Sequence, residues 1–542
     1  MKNRKTGSME FLRNEKNRIT DLVLLALIAV FGFYVNREIV IKGLYMDDLY
    51  MWSCYGEQNL IEFAFPIGTS TRFRPVYWLA TYLQMMIVGT QMTRFVTFNI
   101  VINIAAAFLL YLISGKLSRS RTAAFVTAVC YLASRFAYYQ IGQALGLMET
   151  MALCLAIGIL YLLYRFMTSG FGREEPGQPA GKSSDGFYYT ALLLYFLLAF
   201  THESYIALIP LFYLVLLVRL ADSGKGRRPE MLHSDAFKWI APAAVLLVIV
   251  AIRTFAIGKA IPAGTGGTQV TETFRIGECL SYALSQVWYL FGINAGPEHL
   301  NGLPWDQTPL LIKRLVKLGV LMIGVTVLLY LVSWITAGLK DMKNGRGSRT
   351  FLENLAVCLL FGGFIALCIA CSSVTIRVEM RWIYVSYAAA LLFASYMLGF
   401  LKQCGRREIF GTALLCFLLY GIISTGTNIY YRGYFGRLYF WPNQLRMNSL
   451  AEQTVEKYGT GGVFGKNIYI LENTYEMSDF YGRTFFKTFD PEKKAEGTQV
   501  IFAGSLDDVP KDEVRNGQAL VLKEVPEENA YLDITGEVAG ES

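Results

Sequence analysis

Long apolar runs separated by short basic or polar connections set the rhythm of the chain. Stretches such as DLVLLALIAVFGFYV and GVLMIGVTVLLYLVSWI belong to runs that reach the roughly 17–25 residues a helix needs to cross a bilayer. Windowed hydropathy places about eleven spans. They fall at 20–37, 93–114, 121–139, 144–167, 187–201, 203–220, 236–257, 311–336, 353–373, 382–401 and 409–429. The pair near 187–220 is short and joined by the polar THES, which predicts a hairpin or a broken helix. The apolar PVYWLATYLQMMIVG predicts either a helix lying in the interface or a twelfth span. The pattern is that of a mostly α, polytopic transmembrane helical bundle over 20–430, after an N-terminal tail at 1–19.

Beyond Tyr430 the rhythm changes. NIYILENTY, TQVIFAG and QALVLKEV are short β-prone runs with turn residues and charges between them. They predict a small C-terminal α/β domain over 442–542, of a size that buries a modest core of its own. The chain shows no internal repeat and no nucleotide-binding glycine loop.

Composition narrows the class. The chain is 54% hydrophobic and 17% charged, where soluble domains carry roughly a quarter charged residues. Its net charge of +8 does not point to nucleic acid. The basic residues cluster in GKLSRSR, RLADSGKGRRPE, GLKDMKNGRGSR, KQCGRRE and the N-terminal tail, as the cytoplasmic connections of membrane proteins do. With an odd number of spans these clusters share one side, so that side and the N-terminus are expected in the cytoplasm. KRLVK at 313–317 is the exception.

The outer side then holds large loops at about 38–91 and 258–310, and the C-terminal domain. No small-residue cleavage site follows the basic start, which predicts a retained first helix in a multi-pass protein of the cell membrane. The nine cysteines show no metal-ligand spacing. Cys54 and Cys279 both fall in expected outer segments, which makes a disulfide between them a candidate.

Candidate chemistry gathers on the outer side. In KGLYMDDLYMW, Asp47 and Asp48 are flanked by apolar and interfacial residues. Such a flank places the carboxylates at the headgroup boundary, where partial desolvation makes a stronger base. Arg72 and Arg74 follow in STRFRPVYW, either anchoring in headgroups or clamping a phosphate. His202 and Glu203 stand at the THES turn, and Arg377, Glu379 and Arg381 in VTIRVEMRWIYVSY. Ion clusters at helix ends are usually structural, but several on one side point to a site that handles an anion. His233 and His299 read as incidental, and no metal motif is present.

One span, an acidic pair at the head of a long outer loop, then RFRPVYW before the next span: this order resembles the integral-membrane glycosyltransferases of the C-type fold. Within that group it looks most like the protein O-mannosyltransferase and aminoarabinose-transferase branch. MDDLYMW, RFRPVYW, THES and RVEMRW correspond to places where such enzymes carry acidic, arginine and lysine/histidine–glutamate features. The pair is often Asp-Glu in that branch and is Asp-Asp here.

The resemblance implies sugar transfer from a polyprenyl-phosphate-linked donor to an extracytoplasmic glycan, lipid-linked glycan or protein. It also implies Asp47 as the catalytic aspartate, with Asp48 beside it. Elementary chemistry agrees. A sugar on phosphate already has a good leaving group, so one base for the acceptor hydroxyl and cations for the departing phosphate suffice. Inversion at the anomeric carbon is then expected.

The cations would come from Arg72, Arg74, His202, Arg377 and Arg381. No cofactor is required, although Asp48 could bind the acceptor or help hold a divalent ion. Two rival readings stay open: a transporter or flippase, which would place ionisable residues near the middle of its spans, and a non-catalytic scaffold of envelope polysaccharide assembly.

Overall fold

The computed structural model describes residues 2–41, 43–44, 47–68, 72–89, 92–144, 146–169, 184–222, 235–258, 275–294, 302–343, 349–373, 383–438, 440–473, 486, 498–528 and 530–540. Among them, nine helices are long and apolar enough to cross a membrane. They are the Arg18–Asn36 part of α1 (Lys2–Asn36), α5 (Met92–Ser118), α8 (Leu147–Ser169), α10 (Ile209–Asp222, led in by a 3-10 turn at Glu203–Leu208), α11 (Ala236–Ile257), α13 (Leu310–Lys343), α14 (Arg349–Ser373), α15 (Tyr384–Gln403) and α16 (Arg407–Arg432). The chain is a multi-pass, mostly α membrane bundle.

The remaining two expected spans are shorter helices, α6 (Arg121–Ala133) and α9 (Ser184–Ala199). The run expected as one span at 121–139 breaks at Ser134, whose extended backbone (ψ 157) stops α6 and starts α7 (Arg135–Ile141). The Ser134 hydroxyl donates to the Tyr131 carbonyl at 2.6 Å and accepts from the Ala137 amide, so one side chain caps both helices. PVYWLATYLQMMIVG forms α4 (Pro75–Val88), a helix of 14 residues. At 1.5 Å per residue that is roughly 21 Å, short of the hydrocarbon core.

Helix α15 occupies the centre: 89% of its apolar window is buried, against 22% for α13. Small residues let its neighbours approach closely. A Cβ on Gly399 would stand 2.0 Å from the Leu117 carbonyl oxygen of α5, and Ser114 and Ser395 share a hydrogen bond of 2.7 Å across the same contact.

The bundle has two ends. At one, Arg121 pairs with Asp21 at 2.6 Å and Lys238 with Asp185 at 2.8 Å, and Lys402 donates to the Arg119 carbonyl. At the other, buried Arg432 gathers the final turns of α1 and α6, donating to the Val35, Leu132 and Ala133 carbonyls and to Asn36. A guanidinium suits carbonyls that a helix end leaves unpaired. The short helices α2 (Asp47–Glu57), α3 (Leu60–Ala64) and α4 lie toward this second end, as does α12 (Ile276–Leu290). None of the nine cysteines is in a disulfide, so the expected Cys54–Cys279 bridge is not formed.

The C-terminal unit opens with α17 (Phe440–Val463). Strands β1 (Asn467–Leu471), β2 (Gln499–Ala503), β3 (Ala519–Val525) and β4 (Ala530–Asp533) form a sheet of order β2-β1-β3-β4, parallel except for β4. As expected of a mainly parallel sheet, both faces are covered. Met447, Leu450 and Ala451 of α17 pack with Ile468, Ile470 and Leu522 on one face. Val509, Val514 and Ile534 pack with Tyr469 and Val521 on the other.

Candidate active site

Asp47 and Asp48 occupy the first turn of α2, where the helix dipole favours negative charge. Their environments differ: Asp47 is exposed and Asp48 is 7% exposed. The Ala144 amide donates to Asp48 Oδ2 at 3.2 Å. Ala144 belongs to the turn between α7 and α8, and buried amide side chains fix that turn. Asn99 donates to the Gln143 carbonyl at 2.6 Å, Gln84 to the Ala144 carbonyl at 3.3 Å, and Gln444 of α17 to the Gly142 carbonyl at 3.0 Å. Asp48 is thus set by a rigid scaffold, and Asp47 projects beside it.

The acidic pair shares its surroundings with Glu149, in the first turn of α8 and 4% exposed. Burial, and then the charge of Glu149, push the phenol of Tyr77 above its usual range, with smaller contributions from Asp48 and Asp47. Glu149 adds a third carboxylate to this corner. An ionisable residue in an apolar run is itself a signal, and GLMETMALCLAI displays it.

Arg74 stands at the N-cap position of α4, just before Pro75, a favoured first helical position for proline. Its Nε and Nη2 donate to the two carboxylate oxygens of Glu203 at 2.6 and 2.8 Å, and its Nη1 contacts the Met148 sulfur at 3.3 Å. The expected phosphate clamp therefore needs correction at Arg74. The fork that would grip a phosphate is filled by Glu203, and the pair fastens the THES turn to the head of α4. His202 is also taken up locally: its Nδ1 accepts from the Ser204 amide, and its ring packs on Tyr205. Arg72 is half-buried beside this corner. Arg377, Glu379 and Arg381 lie outside the described residues; the chain enters that segment from Ser373 and leaves it at Ile383.

Among the described residues, a further cation near this corner is one that inspection of the loops misses. Arg253, near the end of α11, is 1% exposed, and its Nε and Nη1 have no hydrogen-bond partner among the described residues. It lies within charge-interaction range of Glu203 and Arg74. The end of α11 reaches this corner because the Gly68 amide donates to the Ala256 carbonyl at 2.8 Å. Burying a guanidinium without partners is costly, so such a group marks where a negative ligand would sit. A lone arginine in AVLLVIVAIRTFAI was the available signal. Among the described residues no three His, Cys, Asp or Glu side chains converge as metal ligands would.

The fold and this corner define a multi-pass membrane protein with a polar, charged site at one end of its bundle. No protein-family model matches the sequence, and no curated protein matches it. Solved structures do resemble it. ArnT from Cupriavidus metallidurans bound to undecaprenyl phosphate is 11% identical, with a TM-score of 0.45 over 94% of this chain and 93% of that one. The apo state of the same protein is 13% identical with a TM-score of 0.48, over the same shares of each chain. The archaeal oligosaccharyltransferase AglB from Archaeoglobus fulgidus, in complex with an inhibitory peptide and a dolichol-phosphate, is 11% identical. Its TM-score is 0.47 over 94% of this chain and 70% of that one. At such identities residues do not transfer between chains, and the chemistry rests on the side chains described above.

Proposed function

We propose that this protein is a membrane glycosyltransferase that moves a sugar from a polyprenyl-phosphate-linked donor to a hydroxyl-bearing acceptor on the outer face of the membrane. The observation that carries the reading is buried Arg253, whose Nε and Nη1 have no hydrogen-bond partner among the described residues and which lies within charge-interaction range of Glu203 and Arg74. The exposed Asp47 at the head of α2 supplies the carboxylate. Arg253 would hold the phosphate. Asp47 would take the acceptor hydroxyl's proton as the acceptor oxygen bonds to the anomeric carbon. The carbon–oxygen bond to phosphate breaks, and the lipid phosphate leaves with the electron pair. A phosphate needs no proton to depart, so a single base suffices and the product is inverted.

The position of the site suits a lipid substrate, since a polyprenyl chain stays in the bilayer while its phosphate sits at headgroup level. Short apolar helices beside the site, with Ile61, Leu83, Met86 and Ile87 exposed, are of the kind that lie in that interface. The cationic connections at the far end favour a cytoplasmic basic end and an outer site. Arg377 and Arg381, which lie outside the described residues, are proposed on sequence alone as further phosphate ligands. No metal enters the scheme.

The deciding experiment is transfer in proteoliposomes from synthetic polyprenyl-phosphate hexoses and pentoses to a panel of glycan, lipid-linked glycan and peptide acceptors. Asp47→Asn is expected to fold normally and to lose about 10²–10⁴-fold in rate. Full transfer by that variant removes Asp47 from the mechanism, and a transporter or scaffold would yield no transferred sugar at all.

A further inference from the structure

The helix that opens the C-terminal unit reaches past its own sheet into the acidic corner. Gln444 of α17 is 1% exposed, and its Nε2 donates to the Gly142 carbonyl at 3.0 Å. One turn further on, Asn448 lies against Gly43. A Cβ at Gly43 would stand 2.5 Å from the Asn448 Cβ and 2.9 Å from the Gln444 carbonyl oxygen. Gly43 precedes Asp47 by four residues, and Gly142 precedes by two the Ala144 whose amide holds Asp48. The same helix therefore meets the chain on both sides of the acidic pair. Its adjacent face, through Met447, Leu450 and Ala451, belongs to the core of the sheet.

We propose that Gln444 is a positioning residue: α17 clamps the approach at Gly43 and the turn at Gly142–Ala144, so the C-terminal unit completes the acidic site rather than merely hanging from the bundle. This rests on the reading of Asp47 and Asp48 as site carboxylates. The physical argument is one of order. A short turn between helices has few bonds of its own, and this one is fixed by the Asn99, Gln84 and Gln444 amides. Asn99 and Gln84 come from the bundle, whereas Gln444 ties the turn to the sheet unit. A close glycine contact leaves no room for play on the other side. The placement of Asp47 then depends on how α17 is seated, as preorganised sites require.

The test uses the full-length protein in nanodiscs. Gln444→Met keeps the length and removes the donor; Gly43→Ala presses α17 away by an independent route. Hydrogen–deuterium exchange should speed up about tenfold or more in peptides covering 47–57 and 141–149, with 384–403 unchanged. Transfer from a synthetic polyprenyl-phosphate sugar should fall about ten- to a hundredfold. Once Asp48→Ala has cut the tie to the turn, Gln444→Met should cost little more. Unchanged exchange in both variants overturns the proposal, as does uniform acceleration across all peptides or full additivity with Asp48→Ala. Full transfer by Asp47→Asn would instead sink the enzymatic reading, and the exchange data would still decide the clamp.

Discussion

Arg74 and Glu203, 129 residues apart, join through two parallel hydrogen bonds of 2.6 and 2.8 Å with side chains only 9% and 11% exposed. The geometry is that of a fork on a carboxylate, the strongest of side-chain pairings and the most costly to break halfway. It fixes the turn between α9 and α10 to the head of α4, and so sets one wall of the site.

Removing one partner leaves the other as an uncompensated charge. Arg74→Met or Glu203→Gln is expected to destabilise the fold by about 3–5 kcal/mol. The double variant Arg74→Met with Glu203→Leu should recover much of that loss. Thermal unfolding of the purified protein in detergent measures both, and simple additivity would show that the pair does not act as a unit.

Arg253 should behave in the opposite way. Its Nε and Nη1 have no hydrogen-bond partner among the described residues and it is buried, so Arg253→Met is expected to raise the stability of the ligand-free protein by about 1–4 kcal/mol. The same variant should weaken use of the lipid donor about 10- to 100-fold, with acceptor dependence little changed. Lower stability with unaltered donor use would mark Arg253 as structural.

The two aspartates separate by chemistry. Asn at position 48 retains an oxygen that can accept the Ala144 amide, whereas Ala does not. Asp48→Asn should therefore keep most of the transfer rate, and Asp48→Ala should lose about tenfold or more through misplacement of its neighbour. Equal and complete loss in both variants would mean that the charge of Asp48 itself is needed.

The orientation is open to direct measurement. A periplasmic-type reporter enzyme fused after Ser542 should be active, and a cysteine introduced into the 344–348 connection should resist membrane-impermeant labelling in intact cells. The reverse pair of outcomes would turn the site toward the cytoplasm and remove the lipid-phosphate scheme.

The apolar runs determined helical segments, because a chain in hydrocarbon has to satisfy its backbone within the segment. The run at 121–139, however, breaks at Ser134 into α6 and α7, and that at 203–220 opens on a 3-10 turn. The turn-bounded β-prone runs after position 465 likewise determined strands by local preference. What the sequence could not fix was which charges meet. Arg74 reads as a phosphate ligand until folding brings Glu203 to it from 129 residues away. Arg253 and Glu149 stand alone in apolar runs until helix packing turns them toward the same corner. Gln444 is an ordinary polar residue of an amphipathic helix until the carbonyl of Gly142 is found in front of it. Hydropathy is a property of each segment and survives in the sequence; pairing is a property of distance, which only the packed bundle decides.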